Sequence, residues 1–294
     1  MKQYEQALEL YRAGEYEASI EILQFALMSG DLNERFTLGA YAVIGDCYRW
    51  TNQIEKAKKA LETALSLNPS GKNELYILGQ FYLDLREYES AISYFDRALD
   101  IDGVFRTIPA YVKRAHANAA LGRYQEAEAD IERALNYNEG YPPAAEWYGF
   151  YLLRGNYRES LGQYQEAMSD YNYAIKLQYD SGFPNFPPYL HRYKARLLAA
   201  SPIDDMRDGK EALRLIELTI DQDPRWEIDL SILAAAYAEL GNYEKASETQ
   251  LRSISMLEKY DWDEDVVDRQ ARLFLYRSGQ PYRLTGNQTY APRP

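Results

Sequence analysis

The stretch LGQYQEAMSDYNYAI, Leu161 to Ile175, reads as a tight turn followed by an amphipathic helix. Gly162 suits the left-handed conformation that ends one helix, and Tyr164, Ala167, Tyr171 and Ala174 recur at helical spacing in the next. The pattern returns as LREYESAISYFDRAL at 85–99, LGRYQEAEADIERAL at 121–135 and LGNYEKASETQLRSI at 240–254. A shorter copy, GEYEASIEILQFAL, stands at 14–27. A half-helix written this often is a building unit.

Aligned on its Ala, the unit gives Ala57, Ala91, Ala127, Ala167, Ala212 and Ala246, spaced by 34, 36, 40, 45 and 34 residues. Gly45, Gly79, Ala115, Gly155, Ala195 and Ala234 fall mid-way along the preceding helix, where a small side chain lets the partner helix and its Ala approach. Seven residues after the small position come Asn52, Arg86, Gly122, Gly162 and Gly241 as helix stops. Ile54, Tyr88, Tyr124, Tyr164 and Tyr243 follow two later and cover the turn. Ala64, Ala98, Ala134 and Ala174 lie two helical turns beyond the anchoring Ala and meet the next pair.

This register resembles the tetratricopeptide-repeat family over essentially the whole chain, with a bacterial character in SPIDDMRDGKEAL and RLFLYRSGQPYR near the end. The resemblance implies an all-α, right-handed superhelical solenoid of about seven helix-turn-helix pairs. They fall at 2–34, 38–71, 72–105, 108–141, 143–181, 187–226 and 227–260, within an array spanning 1–262. Each pair has two apolar flanks and must stack on neighbours, so an end needs a cover. Residues 263–279 are expected to form a capping helix and 280–294 a C-terminal tail.

Composition narrows the function. A net charge of −12 opposes nucleic-acid binding, which needs a positive surface. No apolar run approaches the ~20 residues that cross a bilayer, so membrane insertion is not expected. The N-terminus shows no secretory signal and Cys47 stands alone, which fits a cytoplasmic address. His116 and His191 share no motif with Cys47, and no phosphate loop, zinc spacing or nucleophile elbow occurs; no catalytic, cofactor or metal residue is expected. DWDEDVVD (261–268) has Val266 and Arg272 where a calcium loop needs Gly and Glu, and reads instead as acids complementing a helix N-terminus.

What remains is a protein-binding scaffold. By analogy with the family, the second, fifth, sixth and ninth positions of each first helix face a concave groove. There the chain carries Tyr76, Gln80, Lys113, His116, Asn156, Arg192 and Arg196. Arginine forks bind carboxylates bidentately and Asn can bond an extended backbone, so an acidic or C-terminal segment of a partner is the expected ligand. Alternatively, the arginines pair with nearby acids such as Glu159. The co-chaperone pattern for chaperone tails is missing: Ala42, Asp46, Ile77 and Pro109 stand where it needs Lys or Asn, and only Lys113 fits. An aromatic insertion, YDSGFPNFPPYLHRY (179–193), offers Phe183, Phe186 and Tyr189 as a second binding surface or as filler of an irregular junction. A self-associating array, forming a homo-oligomer, and a ligand-responsive regulatory sensor are the competing readings.

Overall fold

Left-handed residues decide where the helices stop. The computed structural model describes residues 2–103, 106–137, 147–180, 188–220, 227–259 and 263–286. Gly14, Asn52, Arg86, Gly122, Gly162 and Gly241 all take positive φ, between 56° and 81°. Each turn closes in the same way. At Gly162 the N–H donates to the Glu159 carbonyl (3.0 Å) and the next N–H, of Gln163, donates to Arg158 (2.8 Å). This double bond satisfies helix-end carbonyls that would otherwise be orphaned.

The resulting elements are α1 (Lys2–Arg12), α2 (Tyr16–Ser29), α3 (Glu34–Trp50), α4 (Ile54–Leu67), α5 (Lys72–Asp84), α6 (Tyr88–Leu99), α7 (Thr107–Ala120) and α8 (Tyr124–Asn136). They continue as α9 (Tyr148–Ser160), α10 (Tyr164–Asp180), α11 (His191–Ala200), α12 (Gly209–Ile220), α13 (Glu227–Glu239), α14 (Tyr243–Lys259) and α15 (Asp263–Arg277). No strand occurs among the described residues. Each odd-numbered helix up to α13 packs on the helix that follows it. The three-residue turns of most pairs force antiparallel neighbours. The chain divides into two compact units, Met1–Asn138 and Glu139–Pro294.

The small mid-helix positions make room, though not for the residue the sequence suggested. A Cβ on Gly79 would stand 2.5 Å from the Phe95 ring, one on Gly155 2.5 Å from Tyr171, and one on Gly45 2.5 Å from Leu61. The space meant for close approach of an Ala is filled by a large side chain one helical turn beyond it. Helical side chains lean toward their own N-terminus, which brings that residue back over the small position. Leu61, Phe95 and Tyr171 fill such holes and are essentially inaccessible, as is Ile131 at the corresponding position of α8. Each such side chain contributes roughly 1.5–3 kcal/mol of transfer free energy.

The α11–α12 pair departs from the rule. Pro202 forbids the usual turn, and residues 201–208 form a longer loop with a 3₁₀ turn at Asp204–Met206. The carbonyls at the end of α11 find other donors: Asp208 N–H to Leu198 (2.9 Å), the Arg207 guanidinium to Ser201 (3.0 Å) and Leu284 N–H to Ala200 (2.8 Å). Asp208 then caps α12, its Oδ1 accepting from the N–H groups of Lys210 and Glu211 at 3.0 Å.

Helix α15 ends as a first helix does. Gly279 has φ 69°, and the N–H groups of Gly279 and Gln280 donate to Tyr276 and Leu275. Among the described residues no second helix follows. Residues Gln280–Gly286 instead run on without helical structure.

Candidate functional site

In the first unit the candidate residues lie on α5 and α7. Tyr76 is buried against Phe95, ring centroids 5.9 Å apart, with the Arg106 guanidinium 4.8 Å from its own ring. Burial raises its hydroxyl pKa. Gln80, Lys113 and His116 are half-buried. Gln80 and His116 each follow the small mid-helix residue, Gly79 and Ala115, so they hold the same place on consecutive first helices.

His116 Nε2 is enclosed and has no hydrogen-bond partner among the described residues. Burial, and then the Lys113 charge, push its pKa down to about 4, so the imidazole is neutral at pH 7. A neutral imidazole offers one N–H and one acceptor nitrogen, matching the two groups of a peptide backbone. On α3, Asp46 is already committed: it accepts from Arg49 Nε at 2.7 Å and from the Tyr11 hydroxyl. Arg49 reaches on to Asp84 at 2.5 Å.

In the second unit Asn156, Arg192 and Arg196 are buried. Arg196 donates to Glu159 Oε2 at 2.7 Å, realising the alternative pairing. The Tyr171 hydroxyl lies 2.9 Å from both Glu159 Oε2 and Asn156 Oδ1, so Asn156 and Arg196 belong to one internal network. Burial, then the Glu159 carboxylate, hold the Tyr171 hydroxyl far above its ordinary pKa. Arg192 forms two contacts with Asp229, at 3.1 and 3.2 Å, and Asp229 is wholly inaccessible. Desolvation offsets much of the attraction of these buried pairs. Tyr189 donates its hydroxyl to Tyr148 at 3.2 Å, while Phe183 and Phe186 lie outside the described residues.

Two ion-pair devices escaped the sequence reading. Arg114 holds Asp130 through two bonds (2.6 and 2.8 Å), and Arg154 holds Asp170 likewise (2.7 and 3.0 Å). Both join a first helix to its second with the same spacing: Arg before the small residue, Asp before the residue that fills its hole. That coincidence in consecutive repeats was the available signal.

Cys47 is buried, and burial pushes its thiol pKa up to about 11, which suppresses the nucleophilic thiolate at neutral pH. Among the described residues no cluster of three metal-binding side chains occurs, and no helix is long and apolar enough to cross a membrane.

Comparisons with known proteins agree on architecture. Models of the tetratricopeptide repeat match residues 44–103, 108–141 and 148–181. No curated protein matches. Among solved structures, a tetratricopeptide repeat protein from Parabacteroides merdae is 19% identical with TM-score 0.60, over 93% of this chain and 99% of its own. PilF of Pseudomonas aeruginosa is 18% identical with TM-score 0.59, over 81% and 98%. YrrB, described as having an unusual peptide-binding site, is 19% identical with TM-score 0.50, over 72% and 98%.

Proposed function

The chain belongs to the tetratricopeptide-repeat family, whose arrays generally serve as protein-interaction scaffolds, and from that premise we propose that it holds a segment of a partner protein on the first-helix face of its first unit. The chain itself is non-catalytic in this reading. The observation that carries it is that Gln80 and His116, at the same place on consecutive first helices, stay half-buried together with Lys113, one helical turn before His116. Lys113 adds a preference for acidic residues or a terminal carboxylate. Gln80 can bond the backbone on both sides. Asn156, Arg192 and Arg196 act at one remove, keeping the second unit ordered through Glu159 and Asp229.

The test is selection from a displayed random-peptide library, followed by calorimetry. Selected peptides should be acidic and should lose at least tenfold in affinity, about 1.4 kcal/mol, on Lys113→Glu with the melting curve unchanged. Peptides that bind wild type, Lys113→Glu and Gln80→Ala alike would remove the site from this face.

A further inference from the structure

The second unit already contains something that looks like a bound peptide. Residues Gln280–Gly286 leave α15 and pass the C-terminal ends of three first helices in reverse chain order. Arg283 pairs with Glu239 at the end of α13 (2.7 Å), and the Leu284 N–H donates to Ala200 at the end of α11 (2.8 Å). A Cβ placed on Gly286 would stand 3.6 Å from the Ser160 carbonyl at the end of α9. Side chains alternate along the segment: Tyr282 and Leu284 are buried, while Pro281, Arg283 and Thr285 are half-buried or exposed. That period of two is how an extended chain presents one face to a surface. Tyr282 and Leu284 join the apolar cluster that includes Tyr193, Leu197, Ala200 and Tyr276, and the Arg272 guanidinium lies 4.0 Å from the Tyr282 ring.

The fit is incomplete. The Tyr276 hydroxyl, on a side chain 1% exposed, has no hydrogen-bond partner among the described residues. Among the described residues one backbone bond, that of Leu284, ties the segment to α11. A segment held by one backbone bond, one ion pair and two apolar side chains can be displaced by an equivalent segment of another chain that offers the same contacts.

We propose that the ends of α9, α11 and α13 form a peptide cleft of the second unit, and that residues 280–286 occupy it as an exchangeable self-ligand. The competing partner is an extended segment with the same aromatic–basic–aliphatic triplet, Tyr-Arg-Leu here. Its basic residue faces Glu239, and its aromatic and aliphatic residues enter the cluster. This site is independent of the face assigned to the first unit, and its test uses different residues.

The probe is a fluorescent peptide of residues 278–286, SGQPYRLTG. Full-length Tyr282→Ala, Leu284→Asp chain, whose own segment is released, should bind it at least tenfold more tightly than wild type. A probe with Asp in place of its Leu should bind neither. A folded variant that binds the peptide no better than wild type overturns the proposal. Hydrogen exchange on the wild-type chain covers the case in which the variant fails to fold. The Leu284 amide should exchange by local release, at least tenfold faster than the amides of α11. Exchange of both only through unfolding of the whole unit would make the segment a fixed part of the fold and end the proposal.

Discussion

Gln80 and Arg196 hold the same place in their repeats, each following the small residue of a first helix, yet they meet opposite fates. Gln80 in the first unit stays half-exposed, whereas Arg196 in the second is 5% exposed and bound to Glu159. The repeat register dictates the direction a side chain takes from its helix. What covers that side chain depends on neighbours the register does not mention. In the second unit, α11 and α13 are joined by Arg192–Asp229, and a tail brings Tyr282 and Leu284 into the core. The first unit keeps the positions equivalent to Arg196, Gln80 on α5 and His116 on α7, half-buried.

The largest test of this contrast is charge reversal on both sides. Arg196→Glu would set two carboxylates together in a buried network and leave Glu159 without its cation, costing ~3–5 kcal/mol. Lys113→Glu, at a half-buried position, should cost no more than ~0.5 kcal/mol. Urea unfolding followed by far-UV circular dichroism measures both, and equal costs would break the comparison. A smaller effect separates the turns. The second unit uses Gly at its left-handed stops, while the first uses Gly14 and Gly122 at two of its inter-helix turns but Asn52 and Arg86 at two others, at φ 56° and 61°. Arg86→Gly should raise stability by ~0.5–1 kcal/mol, because a side chain at positive φ is strained. Loss of stability would show that the Arg86 side chain contributes more than its backbone costs.

The pH dependence of stability tests the burial of His116. Its folded pKa of about 4 lies below the ordinary value of 6.5. Between those values the unfolded chain binds the extra proton, so stability declines as pH falls from about 6.5 to about 4 and levels off below. The His116→Gln variant should show a shallower decline over that window in urea midpoints. Identical slopes would mean that the imidazole is more solvated than its burial implies.

The helix pairs were legible because they answer local demands. Gly122, Gly162 and Gly241 announce a left-handed turn, and Ala57, Ala91 and Ala127 mark buried faces, without reference to the rest of the chain. The surroundings of Arg192 and Arg196 were not legible, since Asp229 and Glu159 lie 37 residues away and are brought close only by the packing of successive first helices. Glu159 was at least a candidate partner; Asp229 was not. Tyr282 and Leu284 passed unnoticed because a two-residue alternation in a short terminal stretch is too brief to stand out from chance.

The reverse path of residues 280–286 has a mechanical consequence. A force drawing residue 286 away from the second unit would load the attachments one at a time: the Leu284 bond to Ala200 first, then the Arg283 pair with Glu239. Contacts broken in series resist far less than contacts sheared together, so this end of the chain is built to peel. A pulling or threading machine that engaged it would strip the segment and uncover Tyr276 before any helix had to unwind.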